Sequence, residues 1–296
     1  LTASGTASVT AEGWSGSLVN TPRALSMADS VTLSGSGELD NGLTVSMSFE
    51  LDNDNTSGAF DDKSFTVSSD TLGSVKFSGH GGSTAVSAFD STAAGDMFDN
   101  FDGSALIGAA ATAVTAAAGG DNSFLYTSPD MEGIKITASY RPGKSVTTNA
   151  SATAIAAHYT GFEGLSVSFG VAQVETGVAS SSGDQTAFEA SYAYGPVTVA
   201  YSNNDYDVAT STADQETTSW NVSYTVSDSI SIGYGMETID DGDTSLVNAE
   251  YSGINASYTA GGMTASAKMQ DAENVAGGTA AIQDGEYWSL GLSFAF

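Results

Sequence analysis

Trp288-Ser289-Leu290-Gly291-Leu292-Ser293-Phe294-Ala295-Phe296 is the stretch of this chain whose reading decides its fold. Every second residue is large and apolar, and Ser289, Gly291, Ser293 and Ala295 stand between. Strict alternation of this kind is the signature of a β-strand with one greasy face and one small polar face. Alone, it fits a strand over the core of a soluble sandwich as well as a strand facing lipid. The number of such strands, and the character of their second faces, separates the two.

Alternation recurs along the whole chain. Leu43-Thr44-Val45-Ser46-Met47-Ser48-Phe49-Glu50-Leu51 has one wholly apolar face and one of Thr, Ser, Ser and Glu. Strands are predicted at about 2–13, 27–39, 43–52, 63–70, 74–80, 123–129, 133–141, 152–161, 164–175, 186–195, 196–204, 215–227, 229–239, 245–260, 263–271 and 284–296. That makes about sixteen, an even number of the kind single-chain outer-membrane barrels have. Their connections alternate in length: short at Asp40-Asn41-Gly42, Thr71-Leu72-Gly73, Gly195-Pro196 and Gly261-Gly262, long at 15–26, 53–62, 142–151 and 272–283. Short turns on one rim and long loops on the other are the habit of transmembrane barrels.

The two faces agree with that reading. One reads Ile134, Ile136, Ala138, Tyr140, or Trp220, Val222, Tyr224, Val226; the other reads Lys135, Thr137, Ser139, Arg141, or Asn221, Ser223, Thr225. A barrel of this size presents the first to lipid and leaves the second to water. Trp14, Tyr126, Tyr140, Tyr159, Tyr201, Tyr251, Tyr258 and Trp288 suit interfacial aromatic girdles. Around Ser252-Gly253 the alternation slips phase, which predicts a bulge or a misplaced boundary there.

The longest part that does not read as strand is 81–121. A structureless loop of that length inside a compact domain counts against an assignment unless the loop is functional. Here it is expected to fold into the barrel lumen and narrow an aqueous pore, within a single domain covering 1–296.

Composition sets the outer limits. With 41% hydrophobic residues and a mean hydropathy of -0.04, no run approaches the ~20 apolar residues of a spanning helix. The 34 Gly and only 4 Pro suit many strands and tight turns, and the absence of Cys removes disulfides and thiolate chemistry. No basic-then-apolar leader opens the chain, so any signal peptide is expected to have been removed. The net charge of -28, from 35 acidic and 7 basic residues, speaks against a nucleic-acid partner. It is compatible with a soluble, self-repelling surface and with a lumen and loops that attract cations. An enzyme is not expected: His80 and His158 are the chain's two histidines, and no nucleophile elbow or metalloprotease motif accompanies them.

At the terminal Phe296 the sequence resembles the general diffusion porins of Gram-negative bacteria, of the alphaproteobacterial type. Val31-Thr32-Leu33-Ser34-Gly35 with the Asp40-Asn41-Gly42 turn and Leu43 to Leu51, then Thr71 to Phe77, and Leu125-Tyr126-Thr127-Ser128-Pro129, carry the resemblance through most of the chain. It implies an all-β, 16-stranded antiparallel transmembrane β-barrel whose third long loop folds into the lumen. It also implies a homotrimer in the outer-membrane lipid, with a terminal Phe that assembly machinery reads, passing small hydrophilic solutes by passive diffusion.

In that family the inward loop carries carboxylates facing a basic cluster. The loop candidates are Asp90, Asp96, Asp99 and Asp102, with Phe89, Phe98 and Phe101 spaced to pin the loop to the wall; each Asp could instead cap a turn. The basic candidates are Arg23, Lys76, Arg141 and Lys268, with His80 beside the loop. Ser26 and Ala28 stand where related chains commonly carry arginines, so the field is expected to be weak and the pore cation-preferring. No cofactor is required, although Asp52, Asp54, Asp61 and Asp62, and Asp240, Asp241 and Asp243, are acid groups suited to Ca²⁺. The first run lacks the EF-hand pattern, and solvated loops explain both. Two alternatives stay open: a substrate-specific channel, which would want a line of aromatics along the lumen, and a secreted β-sandwich adhesin or binding module, which would dissolve without detergent.

Overall fold

Sixteen strands form one closed antiparallel barrel in the computed structural model, which describes every residue except 17–22, 53–60, 88, 90–91, 102–120, 144–150, 176–181, 209–213, 241–246 and 276–283. In chain order they are β1 (Thr2–Gly16), β2 (Arg23–Glu38), β3 (Thr44–Asp52), β4 (Lys63–Ser69), β5 (Gly73–His80), β6 (Ser123–Thr127), β7 (Ile134–Arg141) and β8 (Ser151–Tyr159). There follow β9 (Leu165–Glu175), β10 (Gly183–Tyr194), β11 (Val197–Val208), β12 (Gln215–Ser227), β13 (Ile230–Asp240), β14 (Ala249–Ala260), β15 (Met263–Glu273) and β16 (Gly285–Ala295). Each strand pairs with its sequence neighbours, and β16 returns to β1 in a register running from Thr6↔Ala295 to Gly16↔Gly285. The seam is completed by Gly5 and Phe296, which exchange backbone hydrogen bonds of 2.8 and 3.0 Å. Closure leaves no unpaired edge, the condition for strands to stand in hydrocarbon.

Alternation is realised as the sequence suggests. Ile134, Ile136, Tyr140, Phe169, Tyr224, Ile232, Leu290 and Phe294 are exposed on the outside. Short connections turn on residues that only glycine suits: at Gly73, with φ of 81°, a Cβ would lie 2.1 Å from the Thr127 carbonyl oxygen.

Three sequence expectations need correction. Several strands run further toward the long loops than periodicity indicates, as at β2, β10 and β11, because charged residues such as Arg23, Asp184, Asp205 and Asp207 take the outward places at their ends and the apolar outer face stops while pairing continues. Of the two readings of the phase slip at Ser252-Gly253, the bulge fails, since β14 pairs in continuous register with β13 and β15, while the misplaced boundary holds, the strand starting at Ala249 rather than near 245. The apparent slip arises because Tyr251 points inward. The register shifts lie instead at Lys63/Ser64 and Thr225/Ser227. Finally, Trp14 and Tyr251 do not belong to an outer girdle: Tyr251 is 1% exposed, and both pack against the inward loop.

Candidate functional site: the lumen and its inward loop

After Gly81 the described parts of the long loop run along the lumen wall and meet it in three places. The first is apolar. Ala85, Val86 and Phe89 are buried on a wall of small inward residues from β8, β9 and β10, including Ala154, Ala156, Ala172 and Ala187. Gly170 of β9 completes that seat, for a Cβ there would lie 2.7 Å from Val86 Cγ1 and 3.0 Å from Phe89 Cζ. Backbone groups follow suit: the Ala85 amide donates to Ser139 Oγ at 2.9 Å, and its carbonyl accepts from Thr137 Oγ1 at 3.2 Å. Thr137 Oγ1 also lies 3.0 Å from His158 Nε2, while His158 Nδ1 lies 3.1 Å from Ser168 Oγ. His158 is thus occupied in the wall, beside Phe89.

The second contact is polar. Glu237 of β13 is 1% exposed. Its Oε2 accepts a 2.6 Å bond from the Thr92 hydroxyl, and its Oε1 accepts a 2.5 Å bond from the Phe98 amide. Close by, the Ala93 amide donates to Ser202 Oγ at 2.9 Å. The loop itself is braced by Thr92 and Asp96: the Thr92 amide donates to Asp96 Oδ1 at 2.7 Å, and the Asp96 amide donates to Thr92 Oγ1 at 2.8 Å.

The third contact is an aromatic cluster. A 3₁₀ helix, Met97–Phe101, buries Met97, Phe98 and Phe101 against Ile239, Ala249, Tyr251, Ala272 and Tyr287. Trp14 Nε1 donates to the Asn100 carbonyl at 2.7 Å, and Asn100 Nδ2 donates to Gln270 Oε1 at 3.0 Å. Phe89, Phe98 and Phe101 therefore pin the loop as their spacing suggests.

Sequence reasoning did not single out Glu237, Thr92 or Gly170, and it assigned Trp14 to the outer girdle rather than to the loop. A signal was present. Gly170, Gly235, Gly253 and Gly285 are inward positions where a Cβ would approach Val86, Ala94, Met97 and Phe101 respectively, so inward glycines trace the loop's footprint. Glu237 likewise interrupts an inward series of Ser231, Gly233 and Gly235.

The charged candidates are dispersed. Asp96 caps its turn with Thr92, and Asp99 is exposed on the 3₁₀ helix; Asp90 and Asp102 lie outside the described residues. Lys76, Arg141 and Lys268 alternate with outward Val75, Tyr140 and Met269 and so face inward, as does Lys135. Arg23 does not: it pairs with Gly13 in the outward row of Leu25 and Met27, because its odd position on β2 sets it on the lipid side. Inward strand carboxylates are Glu12, Glu38, Glu50, Asp52, Glu189 and the covered Glu237.

Much of the negative charge lies elsewhere. Asp205, Glu216, Asp240, Glu250, Asp271 and Glu286 alternate with inward residues such as Asn204, Thr217, Ile239, Tyr251, Gln270 and Tyr287, forming an outer collar at the long-loop ends of the strands. Glu216 stands directly across from Asp240, Glu250 from Glu273, and Asp271 from Glu286.

The proposed Ca²⁺ ligands are likewise split. Asp52 ends β3 on the inner face and Asp240 ends β13 on the outer, with Asp54, Asp241 and Asp243 outside the described residues. Asp61 and Asp62 come together beside His80.

No curated protein sequence matches the chain. Solved structures do, across 100% of its length. A porin structure refined at 1.8 Å resolution has TM-score 0.72 and 19% identity over 99% of its own chain. An anion-selective porin from Comamonas acidovorans has 0.71 and 16% over 99%. A Rhodopseudomonas blastica porin triple mutant has 0.70 and 18% over 99%. At these identities the likeness is one of fold. The sequence model of the Gram-negative porins matches residues 1–252, and with the closed barrel and its inward loop this places the chain in the Gram-negative porin family.

Proposed function

We propose that this outer-membrane porin is a general diffusion pore for small hydrophilic solutes and ions, with a mild preference for cations. The observation that carries the reading is the loop held along the wall inside a closed barrel, where it narrows the lumen while its aromatics are buried against the wall rather than offered to a solute. The preference rests on inward Glu12, Glu38, Glu50, Asp52 and Glu189 set against inward Lys76, Lys135, Arg141 and Lys268. It is milder than a net charge of -28 suggests, because the outer collar contributes little field inside the pore. Loop residues Asp96 and Asp99 add to the same sign. The anion-selective Comamonas neighbour is a reminder that this fold carries either sign. Reversal potentials of single channels in a KCl gradient test the proposal, and an anion-side potential sinks it.

A substrate-specific channel would offer aromatics to a sliding solute. Trp14, Tyr251, Phe101 and Tyr287 do line one side of the lumen, but Tyr251 and Phe101 are each 1% exposed and serve the loop. General diffusion is favoured for that reason.

The trimer belongs to the same proposal. Apart from Val9, the outward residues of β1 are small, Ala3, Gly5, Ala7 and Ala11, where other strands present Ile, Phe and Tyr. Opposite Ala7 stands Asp29, an exposed carboxylate between Met27 and Val31 on the outer face. A charge there is costly in lipid, and a subunit contact that brings hydrogen-bond donors or a cation to it offsets that cost. Chemical cross-linking of the folded protein in detergent reads the oligomer directly, and monomers alone would exclude it.

A further inference from the structure

His80 ends β5 at the point where the inward loop departs. Its Nδ1 lies 3.5 Å from Asp62 Oδ1 and 3.6 Å from Asp61 Oδ1, while Nε2 faces Asp121 Oδ1 at 3.7 Å. Nδ1 is shut off from solvent and has no hydrogen-bond partner among the described residues. One ligand atom each from Asp61, Asp62 and His80 lies within 4.8 Å of the others.

We propose that Asp61, Asp62 and His80 bind a divalent transition-metal ion of the zinc type through Nδ1 and two carboxylate oxygens, with Asp121 on the far ring nitrogen. Spacing supports it. Ligands about 2.0–2.2 Å from a tetrahedral ion stand roughly 3.3–3.6 Å from one another, which is the separation of Nδ1 from both carboxylates. An imidazolium ion pair, by contrast, would draw nitrogen and oxygen to about 2.7–2.9 Å. The nitrogen ligand also selects the metal, since Ca²⁺ and Mg²⁺ take oxygen donors whereas imidazole with carboxylate suits zinc.

Asp121 supplies what such a site needs behind it. A metal-bound histidine commonly turns its other ring N–H to a carboxylate, which fixes the tautomer and leaves the inner lone pair for the metal. The ligand segment is tied down as well: the Glu50 amide donates to the Asp62 carbonyl at 2.8 Å, and the Asp61 amide donates to the Glu50 carbonyl at 3.0 Å. Gly81, with φ of 62°, leaves the space that the Asp62 carboxylate fills and that a Cβ would take. A bound ion would join the segment entering β4 to both ends of the inward loop, at His80 and at Asp121. Lys63 is the neighbouring cation, paired with His80 across the strands with its stem over Gly79.

Isothermal titration of the folded full-length protein in detergent with ZnCl₂, against excess CaCl₂, tests this. One zinc per chain is expected, bound normally by His158→Ala and at least tenfold more weakly by His80→Ala. Heat-modifiable gel mobility checks that each variant is a closed barrel. Should His80→Ala fail to fold, Asp62→Asn carries the same comparison, with the same tenfold loss. No saturable zinc binding, equal displacement by calcium, or full-affinity binding by the folded His80→Ala or Asp62→Asn variant overturns the proposal.

Discussion

Glu237 on β13 and Thr92 on the inward loop, 145 residues apart in sequence, meet in a 2.6 Å hydrogen bond inside the lumen. The other oxygen of the same carboxylate accepts from the Phe98 amide, so one side chain holds two points of the loop. A hydrogen bond of this kind contributes about 0.5–1.5 kcal/mol net, and leaving a buried donor unsatisfied costs about 1–3 kcal/mol. Glu237→Ala removes both acceptors and is expected to raise mean single-channel conductance and its noise, as the middle of the loop leaves the wall. Glu237→Gln retains one carbonyl oxygen and should fall between. Equal conductance in all three proteins would show that the apolar contacts alone seat the loop.

Those apolar contacts have their own test. A side chain at Gly170 would enter space held by Val86, Phe89 and Ala156. Overpacking of such a seat costs about 1–3 kcal/mol. Gly170→Val should lift the first part of the loop and lower the midpoint of thermal unfolding measured by circular dichroism. Gly35→Ala, on an outward position with nothing within 4 Å, should leave that midpoint unchanged.

The barrel was legible because alternation survives wherever one face meets lipid and the other water. Ile134 to Arg141 and Trp288 to Phe296 show this most plainly. It failed at Tyr251 and Trp14, where a large aromatic on the inward face packs against the loop and so mimics an outward residue. Loop aromatics could be identified as pins from their spacing, but not the wall residues that receive them, since Gly170 and Glu237 owe their roles to segments far away in sequence. Arg23 shows the limit of proximity arguments: being near the second strand said nothing about its face, which one residue of register decides.

Selectivity should follow face, not total charge. Lys268 faces the lumen between Asn255 and Ser289, whereas Glu286 faces outward and accepts a 2.7 Å hydrogen bond from Ser15 Oγ. Lys268→Glu changes the lumen by two charges and should move the reversal potential further to the cation side. Glu286→Gln changes the molecule's net charge but should leave the potential within error. A larger shift from Glu286→Gln than from Lys268→Glu would mean that the outer rim governs permeation.

Opposed carboxylates on the outer collar predict a dependence of stability on salt. Glu216 faces Asp240, Glu250 faces Glu273, and Asp271 faces Glu286 across adjacent strands. Cross-strand pairs are worth about 0.2–1 kcal/mol each, and like charges directly opposite act in the destabilising direction. These groups are in water beyond the apolar band, where raising ionic strength from 0.01 M to 0.1 M shortens the screening length from about 30 Å to about 10 Å. The unfolding midpoint in detergent should therefore rise over that range. Replacing Glu250 by Gln removes one repulsive pair and should raise the low-salt midpoint while flattening its salt response. If the midpoint instead fell with salt, attractive ion pairs would outweigh the collar, and the repulsion inferred from these three registers would not control barrel stability.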